Sequence, residues 1–552
     1  MIEPDSTGAV AGPEAVDAPS SMPANFGRNV GANYTLALTS IVIAGLTTPL
    51  LTRYLGPLRF GVWSLLGALI PYLELLELGL ASAAVTVVAK SLAVGDDDGT
   101  KRAMSTAFLV LLVPGAIALG LAAAAAAVLP HLFAIPPSLL GQARILLLLL
   151  ALDMGVSIPA DTYGGGLIAL QRFDLLAWSL LTVMVLQAGA WFVVLALGGN
   201  LVALGAVTVG ISLLGQLSRA VLFHRLRPGR AVSPRYFDRT LLGRLGRLSG
   251  WFMLRQLSAF VAIGVDVIIV GAVVGVEAAG IYAVGLRLAS IAGNVVRPMV
   301  DVFFPHAANV TATGEGQRLR TSVINGDRLA VGVAAPVCLV LGVLAHPALR
   351  AWVGPDFTGA TIVVVLLAAT GVVRTLPMTG TTLVSGAGDP RVPTLISTAS
   401  AVVHVVLCIV LGLAMGIEGV AIGTFAAAVL LDGAVMLVFV CRRFALPLGR
   451  LMLSHLRAHL VPVAAVGALG LYLSHGPLSS FVSGHGRIID MTVVGATGLG
   501  LLLVYLVVFS RTGLDGDERR VVLANVVQRL GGRNGRAWAR GAAADGQRAV
   551  EQ

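Results

Sequence analysis

Charge is what this sequence has least of. Asp, Glu, Lys and Arg together make up 12% of its 552 residues, about half of the roughly 25% found in soluble domains. Hydrophobic residues reach 57%, and the mean hydropathy is +0.89. No water-soluble fold of this length hides so much apolar surface, so lipid is the solvent for most of the chain. Cysteine is scarce as well. Cys338, Cys408 and Cys441 fall inside or at the ends of apolar segments, without the spacing of a metal site, and read as small buried hydrophobes. No span or loop gathers a Ser/His/Asp set, a metal cluster or a nucleotide-binding motif. Gly164–Gly166 is followed by no Lys-Ser/Thr and sits at a helix end, so it is not a phosphate loop. The expectation is a protein that is not an enzyme or ATPase and that takes no metal or cofactor. The first 27 residues lack the basic start and apolar stretch of a signal peptide. Rich in Pro, Ala and Ser, with Glu3, Asp5, Glu14 and Asp17, they read as a disordered cytoplasmic tail.

What the chain does have is a succession of apolar runs. Bridging about 30 Å of hydrocarbon takes about 20 helical residues. Fourteen segments meet that length: 30–51, 60–88, 104–129, 145–168, 175–197, 201–222, 248–274, 279–304, 328–349, 360–384, 392–414, 416–440, 458–474 and 488–510. Without the last pair the count is twelve. The very short turns Gly198-Gly199-Asn200 and Met415-Gly416 make helical hairpins of the segments they join.

Basic residues orient the bundle. With the N-terminus inside, the inside loops hold Lys90, Lys101 and Arg102, a dense run from Arg219 to Arg247, then Arg318, Arg320, Arg328, Arg442, Arg443, Arg450 and Arg457, and the tail from Arg511 is basic too. The opposite loops hold Arg53, Arg59, Arg144, Arg350 and Arg487. This is the positive-inside pattern, and it places both termini in the cytoplasm. The net charge of +10 therefore touches anionic lipid headgroups and not nucleic acid.

An internal repeat organises the spans. Gly56, Gly61, Val62 and Trp63 in YLGPLRFGVW line up with Gly275, Gly280, Ile281 and Tyr282 in VVGVEAAGIY at an offset of 219. GGLIALQRFD aligns with TTLVSGAGDP at 216, and LGAVTVG with EGVAIGT at 214. Three matches in the same order predict an all-α integral membrane protein. It has two six-helix halves, residues 28–224 and 245–442, joined by a basic cytoplasmic linker at 225–244. An appended helix pair at 443–510 and a basic cytoplasmic tail at 511–552 follow. Six is even, so the halves share one orientation about an axis along the membrane normal, and substrate belongs between them.

The segment TRYLGPLRFGVWSLLGALIPYLELLELGLASA resembles the opening of the polysaccharide-transport proteins, the Wzx-type oligosaccharide flippases of the multidrug/oligosaccharidyl-lipid/polysaccharide (MOP) superfamily. The stretch from Asp266 through GAVVGVEAAGIYAVGLRLAS is similar to that family's seventh and eighth helices, and GIEGVAIGT to its twelfth. The resemblance spans residues 28–442. It departs in two places: Glu77 stands where the family usually has Asp before Leu-Gly, and Ala84-Val85-Thr86 carries no basic residue. The resemblance implies a secondary transporter of a bacterial inner membrane that flips polyprenyl-diphosphate-linked oligosaccharide. Its partners would be that lipid-linked oligosaccharide, membrane lipids, H⁺ or Na⁺, and the glycosyltransferases and polymerase of surface polysaccharide synthesis. Within the superfamily the alternatives are a lipid II or teichoic-acid exporter and a cation-coupled multidrug exporter. A membrane glycosyltransferase would need a large acidic outside loop, and every outside loop here is short.

Ionisable groups inside a bilayer are functional suspects. In the eighth span Arg287, Ser290, Asn294, Arg297 and Asp301 alternate at +3 and +4, which puts them on one helical stripe. Arg255, Ser258 and Asp266 repeat the device in the seventh span, and Arg374 lies within the tenth. Arginine forks suit a diphosphate, and Asn33 and Asn294 offer amide partners to sugars. Arg255, Arg287, Asn294, Arg297, Arg374 and Asn33 are thus the candidate substrate-binding residues. The bland reading pairs Arg287 or Arg297 with Asp301 or Asp266 inside a packed bundle. Asp153, Asp161, Glu77 and Asp266 are candidates for ion coupling, with a structural role open for each; Glu74 pairs with Glu77 in either reading. His306 and His404 read as hydrogen-bonded core residues. The topology is checked by single-cysteine labelling: positions within 228–240 should react from the cytoplasmic side only and positions within 478–486 from the outside only. Labelling of both from one side ends the fourteen-span reading.

Overall fold

The computed structural model describes residues 26–77, 80–227, 232–241, 264–301, 316–387, 389–482 and 485–512, with a few side chains inside these ranges excepted. Arg255, Ser258, His306 and all but two residues of each expected tail lie outside them. Every regular element among the described residues is a helix. That is what hydrocarbon demands of an unclosed chain, since only a helix bonds all its own backbone groups.

The first helix, α1 (Phe26–Glu74), bends at Gly56, whose φ of +67° costs a residue without Cβ little. Two separate spans are expected here, and two helical segments meet at this residue, the connection between them being a turn at Gly56. The second of those spans is also broken. After Glu74 a 3₁₀ turn (Leu75–Glu77) intervenes before α2 (Leu80–Ala93). α3 (Asp97–Leu132) starts where Asp96 accepts a hydrogen bond from the Gly99 N–H at 2.7 Å. α4 (Pro137–Ala169) opens with proline in its first turn, where no donor is lost. α5 (Phe173–Ala196) and α6 (Leu201–Leu226) form the expected hairpin. Gly198 sits at φ +75°, and Asn200 caps α6 by accepting from the Ala203 N–H at 3.0 Å.

The second group comprises α7 (Gly264–Val273), α8 (Val276–Asp301), α9 (Gly316–Val343), α10 (Ala345–Trp352), α11 (Thr361–Thr375) and α12 (Met378–Gly386). α13 (Arg391–Ala427) bends at Gly416 and continues through a π-helical stretch, Ala428–Val435, into α14 (Met436–Arg443). α15 (Leu448–His475) and α16 (Arg487–Thr512) complete the described chain. Eleven helical stretches among the described residues are long and apolar enough to cross a membrane. Two of them contain the bends at Gly56 and Gly416, where the sequence suggests pairs of spans.

One apolar cluster joins both groups. It includes Leu51, Phe60 and Leu66 of α1, Leu146 of α4, Val270 of α7, Tyr282 of α8 and Phe357 before α11. Phe60 and Phe357 pack edge to face with centroids 5.9 Å apart. A second cluster sets Val466 of α15 and Leu501 and Tyr505 of α16 against Val331 of α9, which docks the last two helices onto the second group.

The tightest approach between the groups is made by two glycines that the repeat equates. A Cβ on Gly61 would fall on the Val276 carbonyl, and one on Gly280 would lie 2.8 Å from the Pro57 oxygen and 2.9 Å from the Gly61 backbone. Backbone is what it would meet, and backbone yields poorly. Trp352 fastens the same end by donating from Nε1 to the Gly45 carbonyl at 2.7 Å. Gly280→Ala should therefore disfavour this closed end by about 1–3 kcal/mol, roughly 5- to 150-fold in population. Gly67→Ala, which meets nothing within 4 Å, should not. Short-linker crosslinking between cysteines at positions 60 and 357 reads the difference; equal crosslinking in both variants refutes it.

Candidate substrate and ion sites

Arg287 is placed by the bend in α1. Gly56 turns the chain so that Thr48, before the bend, and Phe60, after it, both face α8. Arg287 Nη1 donates to Thr48 Oγ1 at 3.1 Å, and the guanidinium carbon sits 5.6 Å from the Phe60 ring centre. Thr48 can accept because its own proton goes to the Ala44 carbonyl. Among the described residues no carboxylate lies within ion-pair reach of Arg287. The cation is held by a hydroxyl and a ring face, interactions that orient it without neutralising it. Ser290, on the same stripe, is exposed and donates to the Arg287 carbonyl. Asn294, Arg297 and Asp301 lie on α8 and Asn33 on α1, with their side chains outside the described set.

Arg374 is in a different condition. Its Nε donates to Asp432 Oδ2 at 2.9 Å. Asp432 comes from the π-helical stretch, where one extra residue per turn re-aims side chains. The sequence reading missed this partner, 58 residues away; the only signal was a lone acid in an apolar run.

Asp266 pairs with neither Arg287 nor any other arginine of the described set. It is 2% exposed and anchors a dry network. Tyr282 donates to its Oδ2 at 2.7 Å and Thr424 to the same atom at 3.1 Å. His404 Nε2 stands 2.8 Å from Oδ1, and the Cys408 thiol lies 3.4 Å from the Val420 carbonyl. Ligand atoms of Asp266, His404 and Cys408 all lie within 4.8 Å of one another. Carboxylate, imidazole, thiol, hydroxyl and carbonyl here form a donor set able to hold a proton or a small cation. The spacing of His404 and Cys408, four residues apart on α13, was the available sequence signal, together with Thr424 four residues beyond Val420.

The first group gathers acids. Asp153 is buried, with the Ser157 hydroxyl donating to it at 3.4 Å and Ser212 also bonded to it. Asp161 is exposed, 3.7 Å from Arg219 and bonded by Gln216. Glu74 feels both aspartates electrostatically from the end of α1, and Glu77 is half-buried in the following 3₁₀ turn. Arg219, read from sequence only as part of a basic loop, is instead a buried member of this cluster.

With this geometry in hand, comparison with known proteins is decisive at the level of family. Residues 26–310, a little over half the chain, match the polysaccharide biosynthesis protein family. The chain belongs to that family. Its fold is shared with two solved structures. One is an inward-facing multidrug resistance MATE family transporter of the MOP superfamily (TM-score 0.64, 15% identity, 73% of this chain and 94% of that one). The other is the lipid II flippase MurJ in an inward closed conformation (TM-score 0.64, 13% identity, 88% and 99%). The membrane protein EpsK of Bacillus subtilis (strain 168) is 21% identical over 339 residues, 60% of this chain and 66% of EpsK. The chain thus spans just under two thirds of that relative. This polysaccharide biosynthesis family member is a multi-pass membrane protein with a MOP-superfamily fold.

The Asp266 network should behave as one unit. Asp266→Ala strands the Tyr282 hydroxyl, at about 1–3 kcal/mol for a buried group left unsatisfied, while Thr424 keeps the Val420 carbonyl at 3.1 Å. The detergent-solubilised variant should melt several degrees lower. Adding His404→Ala to it should cost less than His404→Ala alone, because the two share one contact. Additive losses would mean that the groups do not form a network.

Proposed function

We propose that the protein is a secondary flippase that moves a polyprenyl-diphosphate-linked oligosaccharide between the leaflets of a bacterial inner membrane. The observation that carries this reading is Arg287. It is a guanidinium at the junction of the two helix groups, oriented by Thr48 and Phe60 and left without a counter-anion among the described residues. Holding such a charge uncompensated is costly, and the cost is recovered when an anion arrives. A diphosphate supplies two or more negative charges and oxygens spaced for a guanidinium fork. Ser290 and Asn294 of the same stripe, and Asn33 of the first span, are assigned to the sugars. Arg255 and Arg297 are assigned to the same diphosphate by their place in the sequence. Arg374 joins them only after releasing Asp432, which makes it a gated rather than a standing contact.

On this reading the six-helix halves rock about the Gly61–Gly280 contact, which closes the outer end when both termini are cytoplasmic. The acids Asp153, Asp161 and Glu77, and the buried Asp266, are the places for a coupled H⁺ or Na⁺. Glycosyltransferases on the inner side and a polymerase on the outer side complete the partners. The acid surplus around Glu74 is the one feature that favours a second reading, a cation-coupled exporter of cationic drugs, since carboxylates attract what Arg287 repels.

Surface glycan and membrane abundance, measured together, separate the readings. Deletion should build up lipid-linked oligosaccharide on the cytoplasmic leaflet while its synthesis continues. Arg287→Ala should keep normal abundance and lose most of the surface glycan, and Arg287→Lys should restore part of it because charge without the fork remains. An abundant Arg287→Ala protein with full glycan export sinks the diphosphate role. A purely structural Arg287 would instead show protein loss before glycan loss.

A further inference from the structure

Asp327 of α9 takes no part in either site above. It is fully buried, and neither of its carboxylate oxygens has a hydrogen-bond partner. It stands eleven residues into α9, roughly 16 Å along the helix at 1.5 Å per residue. Helical spacing fixes its surroundings. Val323, one turn earlier on the same face, and Leu383, one turn beyond Thr379, are both wholly buried and belong to a single apolar cluster with Val440 and Cys441. Thr379, also fully buried, is the polar neighbour: its hydroxyl and backbone N–H lie beside the carboxyl, and neither makes a well-formed hydrogen bond to it.

The charged groups on the elements around α9 are engaged elsewhere or exposed; Arg442 and Arg443 of α14 and Arg450 and Arg457 of α15 are exposed. Arg328, next in sequence, acts on His455 and His459 of α15. His459 bonds to the Tyr505 hydroxyl at 2.8 Å, and Arg374 of α11 is held by Asp432. The Cys441 thiol is the remaining ionisable group beside Asp327, and it is an acid. Among the described residues no Lys, Arg or His lies within ion-pair reach of Asp327. An isolated carboxylate in such a place is prohibitively expensive, and neutralisation is the ordinary outcome. An ionised Asp327 would draw the Thr379 hydroxyl and backbone N–H into short, well-aligned bonds, and the contacts with Thr379 fall short of that.

We propose that Asp327 and Thr379 form a proton-binding site separate from the Asp266 network. The carboxyl is protonated in the conformation described here. When α12 moves away from α9 and admits water, the carboxyl O–H bond breaks, the proton passes to that water, and further water solvates the carboxylate left behind. The proposal is independent of which substrate is carried, and its test needs no substrate.

The test is infrared difference spectroscopy of the full chain reconstituted in lipid vesicles at neutral pH. The wild type should show the C=O stretch of a protonated carboxyl that moves on exchange into D₂O. That band should vanish in Asp327→Asn, move in frequency in Asp327→Glu, and persist in Thr379→Val. The Glu variant keeps the assignment decidable if the Asn variant fails to fold. A band unchanged in a folded Asp327→Asn protein means that Asp327 is ionised, and the proposal falls. It falls equally if the band is lost when Na⁺ is added at constant pH, since that marks a sodium site.

Discussion

A charge in hydrocarbon has to be paired, neutralised or kept wet, and the arrangement of this bundle follows from that constraint. Each option is used. Arg374 is paired with Asp432, Asp266 is enclosed by hydroxyls and an imidazole, and Asp161 is exposed beside Arg219. Arg287 uses none of the three among the described residues. It has only a hydroxyl and an aromatic face. An interaction that would be unremarkable at a water-exposed surface becomes an incomplete site when placed at the junction of two helix groups in lipid.

The junction itself depends on the absence of side chains. Gly61 and Gly280 let two backbones meet where any Cβ would strike a carbonyl. Small residues commonly allow such approach between membrane helices, but here the pair is also related by the repeat. Each copy of the motif puts its glycine against the other copy, so the contact is self-complementary. A symmetric contact of this kind can open and re-form without either half changing its internal packing.

Much of this was legible in the sequence, and the limits have physical reasons. Hydropathy located the helical runs because lipid exposure selects composition over some twenty residues at a time. Gly198-Gly199-Asn200 announced its hairpin because positive φ and a side-chain cap are local properties. Gly56 stands between two apolar runs, and its non-helical backbone separates two helical segments there, though composition does not distinguish a one-residue bend from a short connection. The partners of the charged groups were mostly invisible. Thr48 lies 239 residues from Arg287, and Asp432 reaches Arg374 only through a π-helical turn that no local pattern marks. Asp266, suspected from its position, met His404 and Thr424 instead of an arginine because helix rotation, not spacing, decides which faces meet. Asp327 was passed over because a lone acid near a basic loop reads as surface.

The repeat also explains why the two groups need not do the same work. Trp63 and Tyr282 occupy equivalent positions, each two residues past the paired glycine. Trp63 packs edge to face on Trp191 at 5.5 Å, an apolar use of the site. Tyr282 spends its ring on the same kind of packing but turns a hydroxyl toward Asp266. One extra oxygen thus lets an acid exist in the dry interior of the second group. The first group, with tryptophan there, keeps Asp161 and Glu74 exposed and meets its buried Asp153 with Ser157 and Ser212 instead. A bundle whose two helix groups carry related motifs can hold an acid under a tyrosine in one and a mixed cluster of buried and exposed acids in the other, and any cation that binds to both must meet them in different surroundings. Such a difference in environment is what allows ion binding to favour one relative position of the halves over another.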